Sequence, residues 1–116
     1  MPSKSLKEKQ FTVKFQMGGY KVRVVITNDV WASRNHRNRA IGRKVQNSTG
    51  YALCSIVDGK GLSYLFLPEK CEHEIAAHEA VHAIYHMYDW LGIEEDDSEV
   101  FAYQLEYLLR GIFRRL

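Results

Sequence analysis

Ile75, Ala76, Ala80, Val81, Ala83, Ile84 and Met87 recur at helical spacing and give one stretch of the chain a broad apolar side. The pattern predicts a helix from about residue 70 to residue 91, stopped by Gly92. The polar side of that helix carries His78 and His82. Residues four apart share a face, so both imidazoles can meet a single ion. Glu79 stands one position along from His78, close enough to polarise a water on that ion without ligating it. The run His78-Glu79-Ala80-Val81-His82 is the HExxH pattern, whose mechanical meaning is zinc (Zn2+) beside a general base. A surface helix that happens to carry histidines is the competing reading.

Catalytic zinc keeps three protein ligands and leaves a position for water, so a third ligand has to come from elsewhere. His86 continues the four-residue spacing, but a straight helix carries it about 12 Å along the axis from His78. His73 precedes His78 by five residues and points off the ligand face. His36 lies in a basic stretch where a loop would hold a ligand poorly. The acidic candidates are Glu94, Glu95, Asp96, Asp97 and Glu99. Glu99 is preferred because it opens a last helix, from about Ser98 to the terminus, whose start must lie near the histidine helix. Ala102, three positions on, lets the two helices approach closely. A capping box between Asp96 and Glu99 would explain the same residue without metal. The helical wheel also puts Glu99 beside Glu106 and Arg110, away from the stripe of Phe101, Leu105, Leu108, Ile112 and Leu116.

Upstream, Phe11-Thr-Val-Lys-Phe and Tyr20-Lys-Val-Arg-Val-Val-Ile alternate around a Met-Gly-Gly turn, which predicts a β-hairpin with Gly18 and Gly19 at positive φ. Tyr51 to Val57 and Leu62 to Leu67, joined through Asp58-Gly59-Lys60-Gly61, predict a second hairpin closed by Pro68. Residues 31–50 lack an apolar period and hold Arg34, His36, Arg37, Arg39, Arg43 and Lys44. They read as a long, mobile basic loop with at most a short helix at its start. Residues 1–10 read as disordered. The two cysteines, Cys54 and Cys71, read as reduced and structural, with a disulfide between them as the alternative. Cys71 and His73 could open a second metal pair, but nothing in the sequence completes it.

A length of 116 residues means one domain, 1–116, with little left over for a separate substrate-binding lobe. With 46% hydrophobic and 26% charged residues the chain has the make-up of a globular protein rather than a disordered one. The N-terminus has charge but no apolar core like that of a signal peptide, and no apolar run could span a bilayer. A cytoplasmic protein without a membrane partner is the expectation. A net charge of +2 does not call for nucleic acid. The basic stretch is its only support, and Trp31 is the sole aromatic there for stacking. Arg110, Arg114 and Arg115 are explained by favourable charge at a helix C-terminus.

At this point the residues resemble the zincin metallopeptidases. The resemblance rests on strands followed by a helix carrying His78-Glu79-Ala80-Val81-His82, and on Glu99-Val100-Phe101-Ala102 in the next helix. A glutamate ligand downstream is similar to the gluzincin branch, and short HExxH proteins encoded by bacteriophages and prophages look most similar. The likeness covers residues 62–110. Tyr85 and Tyr88 stand where a metzincin would need a glycine and a third histidine, which excludes that branch. Tyr103 stands where many gluzincins carry an acidic residue behind the metal. The resemblance implies an α+β fold: a small antiparallel sheet of two hairpins packed on the HExxH helix and a C-terminal helix. It also implies a zinc metallopeptidase that hydrolyses peptide or protein substrates. In it His78, His82 and Glu99 hold the metal, Glu79 is the general base, and Tyr103 or His73 is a candidate catalytic donor to the oxyanion. Leu62 to Leu67 would be the edge strand that pairs with substrate. The small size favours the alternative of a non-catalytic zinc-binding regulatory protein that keeps the shell.

Overall fold

The computed structural model describes residues 5–40, 55–57, 60–94 and 98–116. Strands β1 (Glu8–Lys14) and β2 (Lys21–Thr27) pair antiparallel, with Phe11 opposite Val24. Their connection is a tight turn over Met17–Gly19, where Gly18 and Gly19 adopt φ of 63° and 69° as their sequence positions require. Strand β1 begins ahead of its first apolar residue. Asn28 anchors that start by accepting from the Lys7 N–H at 2.8 Å and donating to the Ser5 carbonyl at 2.8 Å. The expectation of disorder through residue 10 is therefore corrected for residues 5–10, while residues 1–4 lie outside the described set.

Helix α1 (Val30–Ala40) replaces the first half of the expected basic loop. Asp29 caps it through a carboxylate that accepts the Ala32 N–H at 3.0 Å. Buried Ser33 donates to the Thr27 hydroxyl at 2.8 Å, and the Arg37 guanidinium lies 4.9 Å from the centre of the Tyr64 ring. The helix is held by a hydroxyl pair and a stacked cation instead of an apolar stripe, so periodicity did not reveal it. Residues 41–50 of that expectation lie outside the described residues.

Strand β3 (Ser55–Val57) pairs antiparallel with β4 (Leu62–Pro68), which agrees with the second hairpin over its described part. Residues 51–54 and the Asp58-Gly59 corner fall outside. Strand β4 also pairs with β2, in parallel, from Lys21 opposite Leu62 to Thr27 opposite Pro68. The sheet has the order β1-β2-β4-β3 and is mixed rather than wholly antiparallel. The reason is α1, which lies between β2 and β4 in the chain and serves as the crossover that a parallel pair needs.

Both faces of the sheet are covered. Val22, Val24, Leu65 and Leu67 enter the main core with α2 (His73–Leu91) and α3 (Ser98–Phe113). Val25, Tyr64 and Phe66 point to the other face, where Val30 of α1 joins them. Two-sided burial explains why Leu62–Leu67 reads as an apolar run without alternation. The α+β class is as expected. No helix of the described residues is long and apolar enough to cross a membrane.

Candidate metal centre

Helix α2 turns Ala76, Ala80, Ala83, Ile84 and Met87 into the core, and each is fully buried. The small alanines let the helix lie close on the sheet, which fixes the azimuth of its other side chains. Gly92 ends it at φ 69°, where the Ile93 N–H reaches the Tyr88 carbonyl at 3.0 Å. On the solvent side His78 and His82 are exposed, their rings 5.0 Å apart between centroids and inclined at 74°. Their Nε2 atoms are 3.3 Å apart. Two nitrogens at the usual distance from one tetrahedral zinc would stand about 3.3 Å apart, so the pair fits a shared ion without moving.

Glu79 is only 3% exposed, and its Oε2 has no hydrogen-bond partner among the described residues. A buried carboxylate oxygen without a partner carries a desolvation cost that packing alone does not repay. A cation held by the neighbouring imidazoles, or a water on it, would satisfy that oxygen. The donor set therefore fits a metal at the pair on two counts: nitrogen spacing and the orphaned carboxylate oxygen.

Helix α3 returns antiparallel to α2. Phe113 lies 4.6 Å from His73 between ring centroids, and Phe101 lies 5.0 Å from Tyr85 and 5.6 Å from Tyr88. Glu99 occupies the first turn of α3 and is exposed. It is two residues from Phe101, about 200° around the helix from the side that meets α2. Among the described residues no three of His, Cys, Asp and Glu are grouped to hold a metal, so the structure does not gather Glu99 with the pair. Glu95, Asp96 and Asp97 lie outside the described residues, as does the proposed capping box.

Several expectations are corrected. Tyr103, 63% exposed, lines a groove with Gln16, Met17 and Tyr107 beside the β1–β2 turn, on the side of α3 away from α2. The structure does not bring it to the histidines as an oxyanion donor. His73 lies against Phe113 with the two rings tilted at 42°. His36 belongs to α1, and the sheet separates it from the pair. Strand β4 is interior, with β2 on one side and β3 on the other, so Leu62–Leu67 is not an edge. Among the described residues, the edge on that side of the sheet is β3.

One neighbour of Glu79 had no signal in the sequence. Cys71, a free and half-buried thiol just before α2, is pushed above its ordinary pKa. Burial is the main cause, the Ala76 backbone N–H opposes it, and the negative charges of Glu79 and Glu72 add to it. Its nearness to Glu79 had no signal in spacing, because eight residues and a helix start separate the two.

No protein-family model matches this sequence, and comparison with curated proteins and with solved structures finds no similar protein.

Proposed function

We propose that the protein is a zinc-dependent metallopeptidase whose reaction centre is His78, Glu79 and His82. The observation that carries this is the 3.3 Å separation of the two Nε2 atoms beside a buried carboxylate with an unpartnered oxygen. A surface helix with incidental histidines would have no reason to bury the intervening glutamate. Zinc bound there supplies a Lewis acid for a peptide carbonyl and lowers the pKa of water into the neutral range. Glu79 takes the proton of the attacking water on its free oxygen and later delivers it to the leaving amine. Burial keeps that carboxylate in one place and away from competing bulk water. His78 and His82 hold the metal through Nε2. Glu99, which the structure does not gather with the pair, would be the third ligand. An extended peptide substrate has β3 as its available edge for strand pairing.

The second reading is a non-catalytic zinc-binding regulatory protein. It is favoured by the distance of Tyr103 from the centre, which leaves the oxyanion without an identified protein donor. Digestion of a peptide library by wild type and by Glu79→Gln, read by mass spectrometry with zinc content measured in parallel, separates the two. Zinc-dependent cleavage lost in the variant supports the peptidase. Zinc in both proteins and cleavage in neither supports the regulatory reading.

A further inference from the structure

Helix α3 buries only Leu108 and Ile112 fully, yet it carries a second apolar stripe. Ala102, Leu105, Leu109 and Phe113 line an open groove of about 670 Å³ together with Glu106 and Arg110. The spacing of three and four residues makes this a continuous strip along the helix, and Phe113 is 38% exposed. Charge along the helix is ordered as well. Glu99 lies in its first turn, Glu106 just past its middle, Arg110 in its last turn and Arg114 beyond its end, while Arg115 turns to Phe11 of β1. Glu106 and Arg110 already pair at 2.7 Å within the chain, with both side chains 59% exposed.

We infer that this face of α3 is the interface of a homodimer, in which α3 packs antiparallel on α3 of a second copy. A twofold axis at the level of residue 108 sets Glu106 of each copy against Arg110 of the other. The twofold axis makes that match twice, and the two helix dipoles oppose favourably. Bulk matches in the same register, since small Ala102 meets the end that carries Phe113 and Arg114. A parallel arrangement would set like charges together, so the sequence of charges selects the antiparallel one. The helix is about 24 Å long, which puts the contact at the small end of stable interfaces.

Sedimentation velocity on the full chain over a concentration series tests this. A monomer–dimer equilibrium is expected. Ala102→Arg, at an exposed helical position, should weaken it on the order of tenfold or more while circular dichroism stays unchanged. Glu106→Arg alone and Arg110→Glu alone should each weaken self-association by sets of like charges. An equimolar mixture of those two variants should associate again, because every cross pair is then opposite in sign. A monomer at all concentrations, or a dimer indifferent to Ala102→Arg and to the charge reversals, would overturn the inference.

Discussion

His78 and Glu79 are adjacent in the chain, yet the first is exposed and the second is 3% exposed. One helical residue is a rotation of about 100°, enough to put the imidazole in solvent and the carboxylate in the interior. In the proposed function, metal binding and proton transfer would thereby fall in different environments within one turn.

Glu79→Gln is therefore expected to keep fold and zinc while cleavage falls on the order of a thousandfold or more. Glutamine is nearly isosteric, so packing cannot account for such a loss. Steady-state assays on a cleaved peptide, with zinc measured by elemental analysis, check both halves. Equal cleavage by both proteins would assign the activity to something other than this centre.

One zinc per chain is expected, abolished by His78→Ala or by His82→Ala. Glu99→Ala should reduce zinc affinity by a factor on the order of ten to a thousand without changing the helical content. Competition with a chromogenic chelator measures this. Unchanged affinity in Glu99→Ala removes that residue from the ligand set and directs attention to the acidic connector before it.

The polar attachment of α1 has a measurable consequence. Amides of residues 34–40 should show hydrogen-exchange protection, in contrast to the mobile loop expected from composition. Asp29→Ala should lower stability by about 1 kcal/mol through loss of the cap at Ala32. Zinc binding should be unaffected, because the sheet lies between α1 and the histidines. Fast exchange across 34–40 would contradict the helix.

Cys71 should react slowly with iodoacetamide at neutral pH, because its folded-state pKa is raised and little thiolate is present. In a Cys54→Ser background, Glu79→Gln should speed the reaction by removing one of the charges that raise the pKa. The folded state favours the neutral thiol, so its contribution is complete below the ordinary thiol pKa and is lost as pH rises through the raised value. A plot of alkylation rate against pH that does not shift on Glu79→Gln would separate the two groups.

Helix α2 was legible because its packing residues are apolar and its period is regular from Ile75 to Met87, and the histidine spacing is a property of that same period. The first hairpin was legible from alternation and from glycines that must take positive φ. Helix α1 was not, since Ser33, Arg37 and Asp29 fasten it through partners at Thr27, Tyr64 and Ala32, two of them on strands.

By itself, then, the sequence determined the local order outside α1 and the start of β1: which stretches are helical or extended, and that His78 and His82 share a face. Local order follows from short-range sterics and the period of apolar residues, and both are written along the chain. Only the tertiary structure decided that β2 and β4 run parallel, that β4 is interior, that Glu79 is buried, and that Tyr103 faces the β1–β2 turn. Those outcomes depend on which surfaces meet once the layers close, and contacts between residues distant in sequence have no period from which they could be read.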